Sequence, residues 1–256
     1  MTFLRSALFN LFFFLTTFLL SAYGGALRLV APHRAYGVVR AWGRLQVWAA
    51  RVLCGIRFSV TGQEHLPQGA ALIASQHQST FDTMIWVLLV PRCSYVLKQE
   101  LARLPLFGGL VKPSGMISVD REAGGAAMRG LMRDGKRAAA DGRQIVIFPE
   151  GTRAAPGSVL PIQPGVAALA TSTGLPVIPV ATDSGRLWGR RAFRKLPGVI
   201  RIAILPPLPR RLPRAELLQR LEAIYRAGIP VDNSVGSAPD LLADSASGKR
   251  EPLDPT

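Results

Sequence analysis

The chain has 256 residues, a formal net charge of +15, 31 basic and 16 acidic side chains, and only two cysteines. That length can bury a full core without staples, and Cys54 and Cys93, far apart and without metal-ligand spacing, argue against a disulfide framework and fit a reducing compartment. No RNA-recognition motif or zinc finger accompanies the positive charge, and the aromatics do not interleave with the bases, so nucleic acid is set aside as a partner.

In chain order, Ser6 to Leu27 is a run of 22 uncharged residues rich in Phe and Leu. As a helix it can span or enter a bilayer, for which about 20 residues are needed. A cleaved signal peptide is the alternative, with Arg5 as its basic start and "SAYGGA" as its cleavage site. The run is longer than the ~7–15 residues of a signal-peptide core. Arginines also follow it, at Arg28, Arg34, Arg40, Arg44 and Arg51, and residues 1–60 contain seven arginines and no acid. Such a flank stays cytoplasmic. The expectation is an anchor in the cytoplasmic membrane with the following domain on its cytoplasmic face. Residues 35–54 then place Val38, Val39, Trp42, Leu45, Trp48 and Val52 at helical spacing between arginines. This pattern predicts an interfacial amphipathic helix, with a core-facing helix as the alternative.

Beyond residue 55, runs of strand and helix character alternate. "IRFSVTG" and "AALIAS" have strand character, and a helix opens at Ser79 or Thr80. "CSYVLK" is a strand, residues 100–111 are helical or mixed, and "MISVD" is a short strand. A helix covers Glu122 to Asp141, "QIVIFP" is a buried strand, and a helix covers about Pro164 to Thr173. "PVIPVAT" and "VIRIAIL" are strands, and a last helix runs from about Arg214 to Ala227. Strands separated by helices predict an α/β fold with a largely parallel central sheet flanked by helices. The expected organisation is a membrane anchor and interfacial helix over 1–55, a catalytic domain over 56–228, and a disordered tail over 229–256 where Ser, Asp, Pro and Gly dominate.

Common site motifs are missing from the sequence. It has no G-x-G-x-x-G, Walker loop, H-E-x-x-H, Cys/His cluster or G-x-S-x-G elbow. Two polar stretches remain, each following a buried strand, where open α/β sheets bind ligands. In "HQSTFD", His77 and Asp82 are five residues apart, which on a regular helix would point them about 140° apart. They can meet only if His77 precedes the helix and Asp82 lies in its first turn. Ser79-x-x-Asp82 is also a capping-box pattern, so spacing alone leaves a cap and a catalytic pair both open. In "FPEGTR", a glycine turn allows close backbone approach and Arg153 presents a fork suited to phosphate. Lys98 and Arg121 also sit just beyond strand-like runs, and several cations in one cleft would suit an anionic head group.

With "SGMISVDR" at 114–121 and "LPVIPV" at 175–180, these stretches form four blocks in order. Together they resemble the 1-acylglycerol-3-phosphate acyltransferases and the wider glycerolipid acyltransferase superfamily. The resemblance implies that His77 is the general base and Asp82 orients and charge-balances it. It implies that Arg153 grips the acceptor phosphate, Glu150 shapes the turn, Gly151 allows close approach, and Thr152 shares in substrate binding. Lys98 and Arg121 are implied as further phosphate contacts, and Pro176 and Pro179 as pocket wall. Membrane lipids and acyl-CoA or acyl carrier protein are the implied partners, with no metal or prosthetic group and the oligomeric state left open. Gln76 and Phe81 stand where many members have Asn and Trp, and "HQSTFD", with Gln after the histidine, resembles a bacterial branch that also includes enzymes acylating other lysolipids, including lyso-ornithine lipids. A non-catalytic lipid-binding membrane protein is the rival from another class.

Overall fold

The computed structural model describes residues 1–229, so nearly all of the expected tail lies outside the described residues. The chain opens with two helices, α1 (Thr2–Val30) and α2 (Ala35–Cys54). Then follow β1 (Ile56–Thr61), β2 (Ala71–Ser75), α3 (Asp82–Leu89), β3 (Cys93–Lys98), α4 (Gln99–Arg103), α5 (Gly108–Val111) and β4 (Ile117–Val119). The second half holds α6 (Gly124–Ala140), β5 (Gln144–Ile147), α7 (Gly165–Thr173), β6 (Val177–Thr182), β7 (Gly198–Ile204) and α8 (Arg214–Ala227).

The strands form one sheet in the order β1-β7-β6-β2-β5-β3-β4. Five neighbours, β6 through β4, are parallel, while β7 runs antiparallel to β6 and pairs parallel with β1 at the edge. The expected largely parallel α/β architecture is therefore the fold, with helices on both faces. Strand side chains alternate between faces. In β2, Ile73 packs into the core shared with α1–α3, and Leu72 and Ala74 pack into the core under α6–α8. In β5, Val146 faces the first core and Ile145 and Ile147 the second. Both faces are dry, so these strands appear in sequence as continuous apolar runs.

The two N-terminal helices are bound to this body. Val47, Ala49, Ala50 and Cys54 of α2 are buried in the first core, and α2 stops at Gly55, whose φ of 70° is the left-handed C-terminal cap. The apolar stripe expected to face a membrane is thus split. Val38 is buried and Trp42 packs against the core, whereas Trp48 and Val52 stay exposed. The buried face of α2 is made largely of small residues, Ala49 and Ala50 in the core and Gly43 against Val87 of α3, a face that apolar periodicity alone does not single out. Helix α1 is tied down along its length. Near its start the Lys195 backbone N–H donates to Ser6 Oγ at 2.9 Å, and Phe9 meets Trp188 edge to face at 5.1 Å. Mid-helix, Gln46 Nε2 donates to Thr16 Oγ1 at 2.8 Å and Trp42 Nε1 to Thr17 Oγ1 at 2.9 Å. Near its end Gly24 lies against Leu110 of α5. The opposite face leaves Leu4, Leu11, Phe14, Leu15 and Phe18 in the open.

Candidate active site

The strand order decides which loops meet. Five parallel strands end at one edge of the sheet, so the segments after β2, β5, β3, β4 and β6 converge there. Adjacent strands lie about 4.8 Å apart, which places "HQSTFD" beside "FPEGTR" although 65 residues lie between their ends, Asp82 and Phe148.

His77 lies in the loop before α3, and Asp82 is the first residue of that helix. Asp82 Oδ2 accepts from His77 Nδ1 at 3.1 Å and from the backbone N–H groups of Gln78 and Ser79, both at 2.8 Å. Ser79 Oγ accepts from the Phe81 N–H at 3.1 Å. The helix thus opens later than the expected Ser79 or Thr80, with Phe81 rather than Ser79 at the N-cap and no side-chain cap bond; the carboxylate instead ties the loop before the helix, receiving its N–H groups and holding the imidazole. With Nδ1–H given to Asp82, Nε2 is left as the acceptor, the tautomer a general base needs. The ring is stacked on Phe148, centroids 4.1 Å apart, which fixes its plane.

The main chain of His77 is held from both sides by the second motif. Its N–H donates to Glu150 Oε2 at 2.7 Å, and its carbonyl accepts from the Ala154 N–H at 2.8 Å. Glu150 is buried and its Oε1 is enclosed without a partner. Burial pushes its carboxyl up to about 7; the His77 hydrogen bond opposes the rise and the Asp82 charge adds to it. Gly151, at φ 72°, turns the chain so that Thr152 and Arg153 face the same cleft as His77. Burial lowers the pKa of the Arg153 guanidinium, the Asp82 charge opposes this, and the neighbouring Arg190 adds to the lowering.

The cleft has a volume of about 930 Å³. Its lining includes the cations Lys98, Arg121 and Arg153 and the apolar Leu101, Phe107 and Leu110, together with Leu20 of α1 and Trp42 of α2. This arrangement sets a proton acceptor in a cleft lined by both cations and apolar side chains.

A family model described as Acyltransferase matches residues 57–183. A 1-acyl-sn-glycerol-3-phosphate acyltransferase of Pseudomonas aeruginosa is 36% identical over 231 residues, covering 86% of this chain and 88% of that protein. The chain belongs to the 1-acyl-sn-glycerol-3-phosphate acyltransferase family. It is accordingly an enzyme. A Limnanthes alba member is 32% identical over 168 residues, and the human alpha member 30% over 169. The chain spans 58% and 60% of the lengths of those two. The fold is shared with the crystal structure of the LPA acyltransferase from Thermotoga maritima, with a TM-score of 0.71 at 21% identity, covering 89% of this chain and 95% of that one.

Within this acyltransferase, the expected catalytic and substrate-binding residues lie at or beside the cleft, though not all in the expected way, and the two expected wall prolines do not. Arg121 Nη1 donates to the Gly151 carbonyl, so one arm of its fork braces the FPEGTR turn. Lys98 ends β3 on the cleft rim. Pro176 and Pro179 do not line the cleft. Their carbonyls accept from Leu72 N–H and Leu205 N–H, and β6 lies inside the sheet between β2 and β7. Sequence reasoning missed Phe148 as the ring under His77, although it is the first residue of the motif. It also missed Gln76 and Gln78, whose Oε1 atoms accept from Thr182 N–H at 3.3 Å and Gly185 N–H at 3.2 Å. These bonds tie the His77 loop to the end of β6 and to the loop after it. That loop brings Arg190 and Arg191 to the cleft; in sequence they are part of a basic block over 186–226 with nothing to single them out.

Proposed function

We propose that the protein transfers a fatty acyl group from an acyl thioester to the sn-2 hydroxyl of lysophosphatidic acid, forming phosphatidic acid at the cytoplasmic membrane. The observation that carries this reading is that His77, oriented by Asp82, lines one cleft together with several cations and a set of apolar side chains. A lysolipid offers matching groups: an anionic head, a free hydroxyl next to it, and an alkyl chain. His77 Nε2 takes the hydroxyl proton as the oxygen attacks the thioester carbonyl, and Asp82 balances the charge that appears on the imidazole. The new C–O bond forms, the C–S bond breaks, and the thiolate leaves with the proton His77 returns. The Arg153 charge, disfavoured by its burial, is satisfied by the acceptor phosphate. The reading assigns no step to a metal or prosthetic group; acyl-CoA or acyl carrier protein enters as co-substrate.

Membrane association is part of the same reading. The outer face of α1 and the exposed Trp48 and Val52 of α2 form an apolar surface beside arginines. Large exposed apolar patches mark lipid or protein partners, and bases next to one favour an anionic leaflet. Because α1 is braced against the domain near both ends, it lies along the protein, with its outer face in the leaflet. The deciding experiment offers one labelled acyl donor with a panel of lysophosphatidic acid, lysophosphatidylcholine and lyso-ornithine lipid on vesicles. Turnover of lysophosphatidic acid well above the others is the expected result. Transfer to lyso-ornithine lipid in its place overturns the acceptor assignment, and no transfer to any of them overturns the enzyme reading of the cleft.

A further inference from the structure

The segment joining β6 to β7 faces two ways. One side of it holds α1: Trp188 packs against Phe9, Phe193 lies on Phe3 with ring centroids 4.9 Å apart, and the Lys195 ammonium donates to Asn10 Oδ1. Its charged members Arg190 and Arg191 line the cleft together with Arg153. Other arginines nearby are neutralised: Arg186 and Arg201 both pair with Asp183, at 3.8 and 2.8 Å. Arg190 and Arg191 have no carboxylate partner among the described residues, and Arg190 is close enough for its charge to act on Arg153. Arg191 adopts φ 57°, a left-handed conformation uncommon for a residue with a side chain. The loop is pinned around it by Ala192 N–H to Gly189 O at 3.1 Å and Leu196 N–H to Leu187 O at 2.9 Å. Like charges gathered without an acid repel. An anion between them reverses the sign, and a planar guanidinium fork fits phosphate oxygens.

We propose that Arg190 and Arg191 form, with Arg153, a guanidinium clamp for the acceptor's phosphate monoester, and that this clamp sets the preference for a dianionic head group over an uncharged one. The inference rests on the acceptor reading given above. Helix α1 holds the loop that carries the clamp, through Phe9, Ser6 and Asn10. The acyl donor also carries phosphate, so the chemistry has two sources and the test must separate them.

The experiment measures steady-state kinetics in neutral detergent micelles, which removes attraction to anionic lipid. Arg190→Ala, Arg191→Ala and the double variant are compared with wild type, varying acceptor and acyl-CoA separately. Loss of one charged hydrogen-bonding group corresponds to roughly a ten- to hundredfold change. Each single substitution is therefore expected to raise the acceptor KM about tenfold or more, and the double variant further, with the donor KM unmoved. With monoacylglycerol, which offers the hydroxyl without the phosphate, the variants match wild type, so the preference for the phosphorylated acceptor falls by the same factor. Arg190→Lys keeps part of the affinity. Arg210→Ala, an exposed charge outside the cleft, leaves both KM values in place. An unmoved acceptor KM overturns the clamp, as does an equal loss with monoacylglycerol. A rise in donor KM instead assigns the arginines to the donor phosphate and overturns it too. A wild-type enzyme that ignores lysophosphatidic acid overturns the acceptor reading itself, and the clamp with it.

Discussion

Replacing Asp82 by Asn keeps the size and shape of the side chain and removes only its charge. The Asn carbonyl oxygen can still accept from Gln78 and Ser79 N–H, so the turn into α3 keeps its hydrogen bonds with neutral rather than charged acceptance. The stability cost is then about 1–2 kcal/mol, which in a chain of this size lowers Tm by roughly 2–8 °C. The catalytic cost is larger. An imidazolium and a carboxylate separated by the observed 3.1 Å attract by about 5 kcal/mol at an effective dielectric constant near 20. That attraction arises only when His77 takes the proton, so its full loss corresponds to about 10⁴ in kcat, and about 10³ if the proton is partly transferred in the transition state. The assay is initial-rate acyl transfer under saturating substrates, alongside thermal melting of the same samples. A fall of less than about tenfold, or a loss that merely follows the drop in Tm, would show that the carboxylate holds the loop before α3 and does nothing more.

His77→Ala is expected to remove at least ~10²–10⁴ of the rate while the far-UV circular dichroism stays unchanged; retained turnover sinks the base assignment. Arg153→Ala should raise the acceptor KM about ten- to hundredfold, and an unchanged value would detach this residue from the phosphate. Glu150 has its folded pKa raised to about 7 by burial. Its contribution to stability is therefore fully present below its unfolded pKa and is lost as pH rises through about 7, a swing on the order of 3 kcal/mol. Glu150→Gln should accordingly gain in Tm relative to wild type between pH 5 and pH 9, and a pH-independent difference refutes the buried-carboxyl argument. Phe14→Asp with Phe18→Asp, both on the open face of α1, should move the protein from vesicle pellet to supernatant without changing its Tm in detergent. Retained sedimentation with vesicles would count against the lipid-facing surface.

Some of this molecule is legible without coordinates because its causes are local. Uncharged length marked α1, apolar runs marked the buried strands, and the five-residue step between His77 and Asp82 required a helix start between them. The capping pattern pointed to the right residues but the wrong boundary: Asp82 Oδ2 holds both the imidazole and the Ser79 N–H, while the helix itself starts at Asp82 with Phe81 as its N-cap. The four motif blocks carried the family because each is a continuous stretch. Less legible was α2, whose buried face is made of Val47, Ala49 and Ala50 rather than the larger residues that dominate a hydrophobic count.

What only the tertiary structure decided is adjacency. Nothing in the order of segments along the chain says that β5 pairs with both β2 and β3, yet that pairing brings Glu150 and Ala154 onto the two sides of the His77 peptide. The same ordering places Pro179 inside the sheet instead of on a pocket wall, and brings Arg190 and Arg191, otherwise two charges in a basic block, to the cleft that holds Arg153. Local sequence determines which backbone groups will seek strand or helix partners. Which distant segment satisfies them is settled by packing both sheet faces at once, and the site forms where five parallel strands end together.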